Sequence, residues 1–343
     1  MKKIVALVIS LVILVCGIVF QGEDASRGVI IKQGKGKSEK VTTVETLANV
    51  LDSLTDRFQS SGYTSVGGGS KIEGVAGGWF GDDENEPVEY TDAVLTFDTY
   101  GTVGMDMSSD SSYGSFSMTS NMTFDRSMTC LFTKDSAYYH VDAEIRQSAS
   151  GNVGGESQSS KSFISIEAEL YITEDVALMR FIEMTVLTEG FDADVKEMLG
   201  KWIDCGTGGV DFLSSINDQN YAQLSLIGDY VDEYESEGFK KSGSVYTLKD
   251  EPCKELCLDL FALAGAGSLP EDCLDTSKFR VDLSDSTTPV MDLSYVIKYD
   301  EDSQKVGGVE NTRITVSDIN RGNTVELPES TEIYDFSDFE DLV

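Results

Sequence analysis

The chain has 343 residues, with 60 acidic side chains against 26 basic ones, a formal charge of −34 and a sequence pI of about 4.1. That balance excludes ordinary nucleic-acid binding, which needs clustered Lys and Arg to follow phosphates; the basic residues gather only at Lys2-Lys3 and in a sparse Lys32, Lys35, Lys37, Lys40 stretch. A 40% apolar content suffices to bury a core, and a lone histidine, His140, argues against Ser-His-Asp or multi-histidine metal chemistry. The chain is therefore read as a non-enzyme with no metal and no cofactor.

Lys2 and Lys3 precede an uncharged apolar run, Ile4 to Phe20, at the lower limit for spanning a bilayer. Residues 1–22 are read as a signal peptide or a signal anchor, and the positive-inside rule places the remainder outside the cytoplasm. The expected location is extracytoplasmic, membrane-anchored or secreted, with the membrane contacted through this segment. Cys16 is a lipidation candidate, although Ile13-Leu14-Val15 lacks the small residue expected before such a cysteine. Residues 23–40 are polar and read as a tether. An oxidising compartment makes Cys205, Cys253, Cys257 and Cys273 disulfide candidates with three connectivities open. Buried free thiols are the alternative, since the paired C-x2-C spacing of zinc ribbons is absent.

A first helix follows, with capping-box spacing at Thr42 and Glu45 and an apolar face formed by Val44, Leu47, Leu51, Leu54 and Phe58. It ends near Ser60-Ser61-Gly62, and a Gly-rich acidic loop runs from Val66 to Asp83. From Val88 to Val186 the period changes to two. Phe116, Met118, Met122, Phe124, Met128, Cys130 and Phe132 all fall at even positions; Tyr139, Val141, Ala143 and Ile145, then Ile164, Ile166, Ala168, Leu170 and Ile172, repeat the habit. Such alternation predicts antiparallel strands of about 8 to 12 residues, one face buried and one wet, in a strongly curved sheet. Helices are expected over Tyr221–Glu235 and Cys253–Ala264, with a short helix or loop over Gly190–Trp202. Strands return at Phe279–Leu283, Met291–Tyr299, Ile314–Val316 and Val325–Leu327, and residues 331–343 form an acidic tail. The expected fold class is α+β: a strongly curved antiparallel sheet packed on helices, one domain over residues 41–330, preceded by the membrane segment.

Several short motifs within that succession resemble the LolA-like carriers and, in layout, the LppX/LprG-type extracytoplasmic lipoproteins. They are Gly200-Lys201-Trp202 after the meander, Tyr246-Thr247-Leu248 after a helix ending near Phe239, Pro289-Val290-Met291 opening a strand, and the Ile314 to Leu327-Pro328 segment. The resemblance implies a sheet curled into an incomplete barrel, closed by helices around an apolar cavity that accepts acyl chains. This chain departs from the family in its poor lipidation motif, its extra cysteines and its strong negative charge.

Phe116, Met118, Met122, Phe124, Met128 and Phe132, with Ile166 and Leu170, are the candidate ligand-binding apolar face, because unbranched, polarizable Met side chains adapt to variable partners. The bland reading of the same pattern is a core face packed under helices. The acidic clusters at 82–86, 232–237 and 335–341 read as solvated surface, and His140 as a surface strand residue. The function expected is extracytoplasmic binding or carriage of an apolar or lipidic ligand without catalysis. The alternative is a cell-surface structural or protein-interaction module with a fully packed core and no ligand cavity, its protein partner unknown.

Overall fold

The computed structural model describes residues 29–60, 90–111, 114–153, 156–173, 176–188, 198–204, 224–231, 233–234, 238–263, 273–301, 304–327 and 331–335. The N-terminal apolar run with Cys16, the Gly-rich loop at 66–83, Cys205 and the acidic residues beyond 335 lie outside these.

Alternation of apolar and polar residues builds five consecutive antiparallel strands: β2 (Ala93–Ser111), β3 (Gly114–Phe132), β4 (Ser136–Val153), β5 (Glu156–Thr173) and β6 (Ala177–Thr188). A second meander comprises β8 (Phe239–Ser242), β9 (Val245–Leu248), β10 (Leu274–Asp282), β11 (Val290–Glu301) and β12 (Gln304–Ser317). The two meanders join where β12 pairs antiparallel with β2 over Ser317↔Val94 to Gln304↔Met107. With β7 (Trp202–Asp204) and β14 (Ile333–Asp335) at one edge, they make, among the described residues, a 12-stranded curved sheet in the order β14-β7-β6-β5-β4-β3-β2-β12-β11-β10-β9-β8, not closed into a barrel. The acidic tail thus contributes an edge strand through Ile333–Asp335, parallel to β7.

Strands β2 to β5 are 18 or 19 residues long, beyond the 8 to 12 expected. In β4 and β5 the far halves keep the ladder while the inward row turns to Gln147, Gly151, Ser162 and Ser160, so pairing outlasts apolar periodicity there.

The near half of the inward face is covered by helix α1 (Val44–Ser60), by helical residues 224–231 (α2) and by α3 (Asp250–Leu263). Leu47, Leu51, Ile227 and Leu256 bury against Leu95, Cys130, Tyr139 and Leu170 in one core. The helices also engage each other: Gly228 sits so close to Asp52 that a Cβ there would lie 2.7 Å from its Oδ1, and Tyr230 Oη donates to Asp259 Oδ2 at 2.8 Å. The hydroxyl capping α1 belongs to Thr43, which accepts from the Thr46 N–H at 3.1 Å, one residue beyond the expected Thr42.

Part of the expected tether folds onto the domain. β1 (Ile30–Lys32) pairs with β13 (Thr324–Glu326), and the Gly36 and Glu39 N–H groups donate to the Arg321 and Ile319 carbonyls. This small sheet belongs to a second core on the outer face, where Val29 and Val325 bury Leu131, Tyr138, Leu178 and Trp202. Simple alternation assigned that face to water; the ends of the domain cover it instead.

Candidate functional site

Cross-strand register places all eight predicted apolar-face residues on the inward side of the sheet. Phe124, Met128, Phe132, Ile166 and Leu170 are buried in the main core, Met122 is half-buried against it, and Phe116 and Met118, nearer the far end, are half-exposed. Register brings further apolar residues to the same far half, Val103 opposite Met122 and Met107 opposite Met118, while Met184 stands opposite the buried Ile166. Four of the chain's 10 methionines, Met105, Met107, Met118 and Met122, occupy this incompletely covered region. The inward face therefore has two parts, a near half packed under helices and a far half of partly exposed, adaptable side chains.

Within the buried part, one inward row short of its edge at Phe124, stands a charged residue. Arg126 shares the even parity of Phe124 and Met128, which points it inward, and its residue surface is 7% exposed. Its guanidinium Cζ lies 4.6 Å from the Phe124 ring centroid, and Gly101 gives that ring room, since a Cβ at 101 would fall 2.5 Å from Phe124 Cζ. Glu310 Oε1 is 3.9 Å from an Arg126 terminal nitrogen, beyond hydrogen-bond reach, and Arg126 Nε has no hydrogen-bond partner. Burial lowers the guanidinium pKa to about 9, opposed by the charge of Glu310 and by Tyr295. Tyr295 is itself pushed far up by burial and then by Glu310. The Thr99 and Thr312 hydroxyls, 3.1 Å apart, continue the polar row across the sheet. Position 126 fits the period-two pattern that defines the inward face, so parity alone would have found it.

The outer face carries its own buried polar group. Glu169, fully buried, accepts from Tyr138 Oη at 2.6 Å and from Arg180 Nε at 2.8 Å, and Arg180 lies over the Trp202 ring. Farther along, His140 meets Glu167 at 3.1 Å, as a half-buried strand residue. Asp142 stands directly opposite Glu167, which stands opposite Glu183. Burial, then Glu167, raises the Asp142 pKa.

No disulfide joins any two of the described cysteines, and Cys130, Cys253 and Cys257 carry free thiols. Cys253 and Cys257, one turn apart on α3, hydrogen-bond each other; that bond lowers the Cys253 pKa, helped by Ser277 and the Phe279 backbone, and raises that of Cys257. Burial pushes the Cys130 thiol up. Among the described residues, no three His, Cys, Asp or Glu side chains group as metal ligands would. Two open depressions lie toward the far end. One of about 450 Å³ is bordered by Met105, Thr119, Lys298, Tyr299 and Lys305; another of about 500 Å³ is bordered by Thr123, Arg146, Lys161, Phe163 and Leu187.

The chain matches no protein-family model and no curated protein. Among solved structures it is similar to OccK7 (OpdD) of Pseudomonas aeruginosa, at 7% identity over 66% of this chain and 99% of that one; the TM-score of 0.11 carries no argument about fold or function.

Proposed function

We propose that this is an extracytoplasmic, membrane-attached protein that binds an apolar or lipidic ligand on the inward face of its curved sheet, without catalysis. The observation that carries the reading is the partly exposed far half of that face, where Met105, Met107, Met118 and Met122 gather with Val103 and Phe116 on β2 and β3. Unbranched thioether chains re-pack around ligands of differing shape at little cost, so affinity comes from apolar area withdrawn from water at ~25 cal/mol per Å², less the costs of association. The LolA-like and LppX/LprG-type resemblance leads to the same reading, and the Ile4 to Phe20 run supplies export and attachment. Solvent extraction and native mass spectrometry of the purified full chain test it. A co-purifying lipid, and displacement of an apolar dye by lipid, are expected; repeated absence of both overturns the proposal.

A second reading, a surface structural or interaction module with a packed core, draws on the full burial of Phe124, Met128, Phe132, Ile166 and Leu170. It gains the ground if the same extraction returns no lipid and the far-half methionines exchange no dye.

A further inference from the structure

We infer that Arg126 anchors the carboxylate of a long-chain fatty acid whose hydrocarbon tail runs along the inward face past Phe124 and Met122 toward Met118; the assignment rests on the apolar-ligand reading above.

A guanidinium taken out of water onto an apolar sheet face is expensive unless it is paired and its donors are used. Arg126 is 7% exposed, yet its Nε–H meets no acceptor, and the Glu310 carboxylate stops 3.9 Å short of its terminal nitrogen. Buried donors in folded proteins are nearly always satisfied. Glu310 is turned to other partners: it takes a hydrogen bond from Tyr295 and a long one, 3.4 Å, from Thr312 Oγ1. The Phe124 ring beneath the guanidinium fixes its plane. What is left is a held, planar fork with a free Nε–H, the edge that receives a carboxylate through two parallel hydrogen bonds.

The chemistry of the anion follows from its neighbours. One guanidinium beside a carboxylate suits a monoanion over a dianion, because Glu310 repels either and a doubly charged phosphate about twice as strongly. The tail follows from the strand. From Arg126 to Met118 the inward row of β3 extends about 27 Å at ~3.4 Å per residue, and Met122 and Met118 lie along it with Val103 opposite. Glu310, with a side chain 24% exposed, places the fork one residue from solvent and so gives the headgroup a way in.

The test compares palmitate with methyl palmitate, which has the same chain and no charge, as competitors of an apolar dye on the full-length chain. Palmitate is expected to bind at least about tenfold more tightly, the scale of one charge-assisted hydrogen bond. Arg126→Met should abolish that preference, acid and ester then binding alike within the variant, and Arg126→Lys, which keeps the charge and loses the fork, should fall between. Equal binding of acid and ester by the unaltered chain overturns the anchor and leaves the apolar-ligand reading standing. Binding of neither overturns both. Should Arg126→Met fail to fold, the acid-against-ester ratio of the unaltered chain and of Arg126→Lys decides.

Discussion

Tyr138 donates its phenolic hydrogen to Glu169 Oε1 at 2.6 Å, holding a carboxylate that is wholly withdrawn from solvent on the outer face of the sheet. The other oxygen receives Arg180 Nε at 2.8 Å, so the charge is both paired and hydrogen-bonded. Such a group is costly to bury and costlier to break, because the partner charge stays behind. Glu169→Gln is expected to destabilise the fold by about 3 to 5 kcal/mol, read as a fall in the urea midpoint at constant slope. Glu169→Leu combined with Arg180→Met, which removes both charges together, should recover most of the loss. An unchanged midpoint in the single variant would show that the carboxylate contributes nothing there.

The inward apolar row was legible in the sequence because a buried face repeats every second residue, and Phe124, Met128, Phe132, Ile166 and Leu170 sit where that period places them. Arg126 obeys the same parity but is charged, so a hydropathy pattern passes over it. Strand length exceeds the expectation for a related reason: ladder hydrogen bonds do not depend on side-chain polarity, and on β4 and β5 Gln147, Ser162 and Ser160 continue the pairing where hydropathy goes quiet. The outer core around Leu131 and Trp202 was hidden because its cover comes from Val29 and Val325, nearly 300 positions apart in sequence. The pairing of β1 with β13 is a tertiary fact that no local window contains.

The carboxylates of Asp142, Glu167 and Glu183 form a cross-strand row of like charge, an arrangement that destabilises a sheet. Burial first, then Glu167, raises the Asp142 pKa, with His140 opposing and Glu183 and Glu144 adding. A raised carboxyl pKa means the native state holds more protons than the unfolded chain between the two values, so stability falls as pH rises through that window. Asp142→Asn should therefore raise the melting temperature at pH 7, by an effect within the ~0 to ~1 kcal/mol of partly exposed charges. The gain should vanish below the ordinary Asp value of ~3.9. Melting curves of both proteins across pH 3 to about 8 check it, and a destabilised variant at neutral pH would reverse the sign.

Asp92 fastens the turn that returns β12 to the small outer sheet. Its carboxylate, 2% exposed, accepts from the Gly322 and Asn323 N–H groups at 3.0 Å, while its carbonyl accepts from Asn320 N–H at 2.7 Å. The turn needs fastening, since Asp318 and Asn320 adopt left-handed φ of 52° and 54°. Asp92→Ala strands two backbone donors and should cost about 1.5 to 3 kcal/mol. Hydrogen exchange should show the Gly322 and Asn323 amides losing protection ahead of the sheet; retained protection would mean the turn holds itself.

Gly101 and Gly104 are three residues apart on β2 and offer a paired test of how tightly the Arg126 neighbourhood is built. A Cβ at Gly101 would fall 2.3 Å from the Val309 carbonyl oxygen and 2.5 Å from Phe124 Cζ, so backbone and ring must both shift. At Gly104 the nearest atom is the end of the Asn121 side chain at 3.1 Å, which can turn aside. Gly101→Ala should therefore cost about 1 to 3 kcal/mol, the range of overpacking, and should displace the ring on which the guanidinium rests. Gly104→Ala should stay within ~0.5 kcal/mol, as surface substitutions away from special contacts do. Because Phe124 orients Arg126, the first variant should also narrow the palmitate-over-ester preference while the second leaves it intact. If both substitutions prove equally harmless, the ring is not held by the close strand approach, and the orientation of Arg126 depends on something other than Gly101.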